Sequence, residues 1–469
     1  MKKVMKFWAT LAGSLIVIWA LFRGYDAQFG NDDALVGDIN LDTLLKYLLV
    51  GVGLLAAATL GTRSRHGWLA NGSASVCGLL LFWVLAETIC FGLINLGLTD
   101  APPPFHSRVR LNKNWVSYEK QFWGDISPEF GRWRLPNSSI RVPICNGDSV
   151  LLTSNSYGMR DAERQLASPG STVRAVLLGD SFMEGYMVDA PLRYSNLLET
   201  KTGREHLNFG INGTSPINYY LTYKYLARQF EHEVVIVALL PANDFEDYSE
   251  AAKTGLLRYP IYRPYWEGNL PDLNLKYSLK NIDQSVAAPV NRQRPAQVQE
   301  SVDSVFHSMP WGKRIAAELT LNSYAYAYAM NWVRKSANSH LEPMNSFASK
   351  SFVSRWAAFG HSLEELLKAT QGKKVILLGM PVLSDVYAYE KVPEDDFSPK
   401  IQTLCHKYGA TYINILPIVH RLGPKEWSSF YIPCDGHFSA KGEKLVANII
   451  LNDPVYREAM GLENAEECF

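Results

Sequence analysis

From residue 173 onward, short apolar runs at 173–178, 234–240, 374–379 and 411–416 alternate with helical stretches at 194–202, 218–230, 362–370, 398–408 and 441–451. A strand that is apolar at successive positions must be covered on both faces, and strands separated by helices pair in parallel. That single pattern predicts an α/β fold: a parallel sheet between two helical layers, spanning residues 151–455. Between about 246 and 360 the rhythm breaks into charges, prolines and Gln-rich turns around one good helix at 324–335. The break reads as an insertion that could act as a lid. Residues 101–150 read as a linker with a short-strand lead-in, including a strand at 149–153, and 456–469 as a tail.

Ahead of this domain, three apolar stretches at 4–22, 44–60 and 74–98 crowd the first hundred residues. A bilayer core of about 30 Å needs ~20 residues of helix, and each stretch is near that length. Lys2, Lys3 and Lys6 precede the first stretch and Arg63 and Arg65 follow the second, whereas Asp26, Asp32, Asp33, Asp38 and Asp42 occupy the loop between the first two. The excess of Lys and Arg on one side predicts three transmembrane helices, a cytoplasmic N-terminus and an exported C-terminal domain. The expected location is a bacterial inner membrane with the α/β domain in the periplasm. Leu21-Phe22-Arg23 after the first stretch offers no small-residue cleavage site, so it reads as an anchor. Glu87 inside the third stretch needs a partner at membrane depth, either something it binds or a polar neighbour such as Asn95.

In a doubly wound sheet, functional groups gather at the C-terminal strand ends. Gly179-Asp180-Ser181 ends the first run, Gly210-Ile211-Asn212-Gly213 follows 206–208, Asn243-Asp244 follows the third, and Asp435-Gly436-His437 precedes the last helix. A serine hydroxyl becomes a useful nucleophile only beside a base. Histidine suits because it titrates near neutrality, and a carboxylate on its other nitrogen orients it. Ser181, His437 and Asp435 therefore read as nucleophile, base and orienting acid. The amides of Ser181 and Gly213 and the side chain of Asn243 read as donors to a developing oxyanion. A second Gly-Asp-Ser, at Gly147-Asp148-Ser149, lacks a buried strand before it and marks how weak the tripeptide is alone.

Taken in order, the blocks resemble those of the GDSL/SGNH hydrolases. Val176-Leu177-Leu178-Gly179-Asp180-Ser181-Phe182 with Glu184-Gly185 is similar to their first block, and Asn208-Phe209-Gly210-Ile211-Asn212-Gly213 to the second. Pro241-Ala242-Asn243-Asp244 is similar to the third and Asp435-Gly436-His437-Phe438-Ser439-Ala440-Lys441-Gly442 to the last, with Asn155-Ser156-Tyr157-Gly158-Met159-Arg160 as an upstream lead-in. The resemblance implies a flavodoxin-like fold and metal-free acyl-serine chemistry on O-acyl, chiefly O-acetyl, esters of an extracytoplasmic glycan. Esterase and acyltransferase share every residue named, and a transferase would draw its acyl group from a membrane partner protein. Non-catalytic glycan binding and lipase-like hydrolysis are the competing readings. Two positions depart from the pattern. Asp435 stands two residues before His437 where three is commoner, a spacing similar to that of members handling O-acetyl groups on exported polysaccharides. Ala242 stands where glycine is common.

Lys+Arg and Asp+Glu both number 46, and no basic stripe is present, which argues against a nucleic-acid partner. No histidine or cysteine spacing suits zinc, and no cofactor motif is found. Cys77 and Cys90 read as membrane-core residues, leaving Cys145, Cys405, Cys434 and Cys468 available for disulfides in an exported domain. The aromatic run from Tyr259 to Trp266 reads first as packing of the insertion and second as a sugar-stacking surface.

Overall fold

The computed structural model describes residues 2–29, 41–61, 67–96, 98–99, 101, 122, 125–144, 149–245, 263–277, 307, 309–338, 345–348, 352, 355–392, 395–433 and 435–462. They divide between two compact units. One holds the helices α1 (Lys2–Phe29), α2 (Leu41–Gly61) and α3 (Gly67–Asn95) with the helices Trp311–Asn322 and Tyr324–Asn338. The other comprises Glu119–Lys253, Ile261–Arg292 and Glu342–Phe469.

Helices stand at all three apolar stretches. Among the described residues one segment, Asn71–Ile94, is long and apolar enough to cross a membrane, and Phe7–Phe22 is a shorter apolar helix. The loop aspartates from 32 to 38, Arg63, Arg65, Pro102-Pro103-Pro104, Cys145, Cys434 and Cys468 lie outside the described residues.

The second unit opens with two antiparallel pairs, β1 (Asp125–Ser127) with β2 (Gly131–Trp133) and β3 (Ser139–Pro143) with β4 (Ser149–Thr153). Its core is a five-stranded parallel sheet. In chain order the strands are β5 (Ala175–Leu178), β6 (His206–Asn208), β7 (Val234–Leu239), β10 (Lys374–Gly379) and β11 (Thr411–Asn414). They lie side by side as β11-β10-β7-β5-β6, the flavodoxin-like arrangement. Every residue of β5, β6 and β7 is buried, as a sheet covered on both faces requires. Helix Pro216–Tyr225 packs on Trp356–Ala369, and Tyr194–Thr202 packs on Ala440–Leu451. The order reverses at β5, so the crevice between the ends of β5 and β7 is where the topology gathers functional groups.

Three boundaries differ from the sequence reading. The described strands of the 101–150 lead-in belong to the sheet unit, because Arg134 and Trp133 reach into it: the Trp133 indole donates to the Tyr157 carbonyl at 2.8 Å. The 246–360 insertion is split between the units. Its strands β8 (Pro264–Glu267) and β9 (Asn274–Tyr277) pair, and Tyr265 and Trp266 are buried, with the Trp266 indole on Ser362 Oγ at 2.7 Å. For the described part of the aromatic run, packing is therefore the structural fact; Tyr259 to Tyr262 lie outside the described residues. Finally, helix Pro454–Ala459 continues the domain past 455, since Tyr456 and Met460 are buried in the main core and the Tyr456 hydroxyl meets His206 Nε2 at 2.8 Å. Cys405 is a buried free thiol, which removes it from the disulfide candidates.

Candidate active site

The turn carrying Ser181 follows directly from β5. Asp180 leaves the strand with φ −92° and ψ −146°, and its carboxylate caps the one-turn helix Ser181–Glu184 by accepting from the Phe182 amide at 2.9 Å. Gly185 ends the turn in the left-handed region, φ 68°, where a Cβ would strike Arg193. Ser181 is held at the strand end, only 4% exposed.

His437 comes from the other side. The segment after Phe430 folds as a tight hairpin, with Tyr431 bridged to Phe438, the Ile432 amide on the His437 carbonyl at 2.8 Å and the Gly436 amide on the Ile432 carbonyl at 2.8 Å. This loop is short enough to bring Asp435 and His437 to one side despite their spacing of two. His437 Nε2 lies 2.7 Å from Ser181 Oγ, and His437 Nδ1 contacts Asp435 Oδ1. The carboxylate on Nδ1 fixes the tautomer that leaves Nε2 facing the serine. Burial opposes ionisation of Asp435, but the hydrogen bond and charge of His437 outweigh it and hold the carboxyl below its usual range. The imidazole is clamped by rings: Phe182 at 5.0 Å and Tyr186 edge-on at 5.1 Å between centroids.

Gly213 and Asn243 both reach the same cavity, of about 460 Å³, as Ser181, Asp435 and His437. Gly213 has φ 73°, so a side chain there would be strained and the turn keeps its amide in place. Asn243 follows β7 and donates its amide Nδ2 to Asp180 Oδ2 at 2.9 Å. An amide nitrogen carries two hydrogens, so this bond fixes the side chain without exhausting it. Asp180 thus shapes the turn and also aims Asn243. Burial raises its own carboxyl, against the pull of Asn243 and the Phe182 amide. Leu240, Ala242, Val382 and Leu383 give the cavity an apolar wall, and Asn212 and Ser384 add polar groups to its lining.

The residues that support this arrangement escaped the sequence reading. Arg134 and Glu184 form an ion pair with both side chains fully buried, Arg134 Nε to Glu184 Oε1 at 3.0 Å. Arg134 also donates to the carbonyls of Gly158, at 3.2 Å, and Gly210, while Glu184 Oε2 accepts from the Asn212 amide at 2.7 Å. The pair therefore grips the Gly210–Gly213 turn from both ends. Arg160 donates to the Glu184 carbonyl at 2.9 Å and Arg193 to the Arg160 carbonyl at 2.5 Å. Beneath them Glu443 accepts from the Tyr194 amide at 2.8 Å. The available signal was a charged residue, Glu184, inside an otherwise apolar turn that has to be buried. Among the described residues no cluster of three or more His, Cys, Asp or Glu could hold a metal ion.

No family model matches the chain, and no curated protein matches it. Among solved structures it is similar to a member of the lipolytic G-D-S-L family from Veillonella parvula, at 10% identity and TM-score 0.31 over 60% of this chain and 97% of the other. It is similar to a carbohydrate esterase family 2 enzyme with a carbohydrate-binding domain from Corynascus thermopiles (Myceliophthora fergusii), at 12% identity and TM-score 0.31 over 63% of this chain and 68% of the other. An acetyl xylan esterase from Butyrivibrio proteoclasticus is similar at 10% identity and TM-score 0.27, over 67% of this chain and 68% of that one. The matches reported are thus G-D-S-L lipolytic proteins and carbohydrate esterases, at distances where the site rests on its own geometry.

Proposed function

We propose that this chain is an SGNH-type serine acyl-ester hydrolase or O-acyltransferase, acting on O-acyl, chiefly O-acetyl, groups of an extracytoplasmic glycan. The observation that carries the reading is the contact of Ser181 Oγ with His437 Nε2 at 2.7 Å, with Asp435 on the far nitrogen. In the first step Ser181 Oγ bonds to the ester carbonyl carbon while His437 Nε2 takes its proton. The carbonyl oxygen becomes an oxyanion beside the amides of Ser181 and Gly213 and the Asn243 side chain, donors that gain strength as charge develops. Collapse breaks the bond to the sugar oxygen, which leaves with the proton from His437. Water or a second sugar hydroxyl then gives its proton to His437 and attacks the acyl-serine, regenerating the enzyme. Leu240, Ala242, Val382 and Leu383 supply an apolar wall for the acyl group, and the open cavity leaves room for a sugar.

The accompanying placement is an integral, multi-pass membrane protein with a cytoplasmic N-terminus and the sheet unit in the periplasm. Asn71–Ile94 supports association with a membrane, and Lys2, Lys3 and Lys6 at the start of α1 support its orientation. The reading is tested by p-nitrophenyl acetate turnover of the full chain in detergent, beside Ser181→Ala and an acetylated oligosaccharide. Turnover abolished by Ser181→Ala is expected; a folded wild type no faster than the variant on both substrates rules out hydrolysis.

A further inference from the structure

Glu87 is the one Asp, Glu, Lys or Arg in the apolar segment Asn71–Ile94. The side chain of Asn95, a polar neighbour on the same helix, lies outside the described residues. Glu87 is buried against the bend between the helices Trp311–Asn322 and Tyr324–Asn338, in the same compact unit. Its carboxylate accepts from the Ser323 hydroxyl and, at 2.9 Å and 3.4 Å, from the amides of Tyr324 and Ala325. The next two amides are also taken: Tyr326 donates to Ser323 Oγ at 3.0 Å and Ala327 to the Ser323 carbonyl at 3.0 Å. The Ser323 amide reaches the Leu319 carbonyl at 2.9 Å, so the four amides without an intrahelical partner at this helix start, Ser323 to Tyr326, are all satisfied. A backbone bend survives in hydrocarbon only when its polar groups are satisfied in this way.

Depth follows from position. Glu87 is seven residues from Ile94, about 10 Å along a helix, in a bilayer core whose half-thickness is about 15 Å. The Ser323 bend shares that depth. Tyr324 packs there, its ring edge-on to Phe91 at 4.9 Å and in contact with Cys90 and Ile94. Leading away from the bend, both helices present apolar residues outward at helical spacing: Trp311 and Ile315 on one, Tyr328, Trp332 and Val333 on the other, with Trp311 78% and Trp332 66% exposed. Between Ile315 and Val333 the only charged residue is Glu318, while Lys313, Arg314, Arg334 and Lys335 stand at the two far ends. Apolar faces bounded by tryptophan and basic residues match the profile of a bilayer from hydrocarbon to headgroups.

We infer that the bent helix pair Trp311–Asn338 is a membrane-inserted element, docked on α3 through Glu87, whose outward faces contact lipid acyl chains. This rests on α3 spanning the membrane, and the test separates the two. Single cysteines at Phe82 (on α3), Trp332, Trp311 and Lys425 (in the sheet unit), in a background without native cysteines, are labelled with a bimane fluorophore. The full chain is then reconstituted in nanodiscs containing lipids spin-labelled along the acyl chain. Several-fold quenching at Phe82, Trp332 and Trp311, with none at Lys425, is expected. Quenching at Phe82 but at neither tryptophan position overturns the inference and leaves the membrane reading standing. An unquenched Phe82 overturns both. Adding Glu87→Leu should reduce quenching at Trp332 and spare Phe82; an unchanged Trp332 signal refutes docking through Glu87.

Discussion

Replacing Arg134 by methionine removes one half of a fully buried ion pair and leaves the Glu184 carboxylate facing the protein interior without its cation. Breaking a buried pair from one side costs roughly 3–5 kcal/mol, because the remaining charge is desolvated and uncompensated. The Gly158 and Gly210 carbonyls lose their donor at the same time, which places the cost toward the upper end. At about 2–4 °C per kcal/mol for a domain of some 150–250 residues, the sheet unit should melt roughly 6–20 °C lower. Thermal unfolding of the full chain in detergent, followed by tryptophan fluorescence, reads this directly. Because Gly210 and Asn212 flank the turn that carries Gly213, kcat should fall below the melting temperature with KM little changed. The double variant Arg134→Met/Glu184→Leu removes both charges and should recover more than half of the lost stability. A shift in Arg134→Met of less than about 2 °C, or a double variant no better than the single, would show that the pair does not hold the turn.

The other predictions concern the site and its pH dependence. Asn243→Ala should lower kcat by roughly 10²- to 10³-fold, as the loss of one oxyanion donor does; steady-state kinetics showing only a raised KM would remove Asn243 from that role. Asp435→Asn should cost roughly 10²- to 10⁴-fold in kcat by releasing the imidazole tautomer, and a loss below about tenfold would mean the two-residue spacing leaves the acid without an orienting role. Burial, against the pull of the Tyr194 amide, Arg193 and Arg160, pushes the Glu443 carboxyl up from 4.5 to about 8. The folded chain then holds that proton more tightly than the unfolded one, so this contribution to stability is full below 4.5 and is lost as pH rises toward about 8. Glu443→Gln, which stays uncharged, should therefore gain melting temperature over wild type steadily between about pH 5 and pH 8; parallel curves would contradict the assignment.

The parallel sheet was legible because its strands must be apolar on both faces, and a run such as 374–379 has no other covered position to occupy. The place of Gly179-Asp180-Ser181 at the end of a buried strand was legible too, since the apolar run before it has to end there. What stayed hidden was long-range pairing of charge. Nothing local says that Arg134, fifty residues before Glu184, becomes its partner, or that backbone amides at 324 and 325 come to Glu87. Domain edges were hidden for the same reason: Tyr456 looks like a tail residue until its hydroxyl is seen on His206. Helix Trp311–Asn322 escaped notice because Pro310 stands at its start with no capping side chain, so no start signal marks it.

The central claim is that Ser181 forms a covalent acyl intermediate with His437 as its base. The full chain is mixed rapidly with p-nitrophenyl acetate, quenched in acid, digested and weighed peptide by peptide. The account predicts one acetyl group on the peptide carrying Ser181, accumulating in a burst, absent in Ser181→Ala and strongly slowed in His437→Ala. Acetylation at any other residue, or a wild-type chain that turns over without a trapped acyl-serine and is unaffected by either substitution, would contradict it.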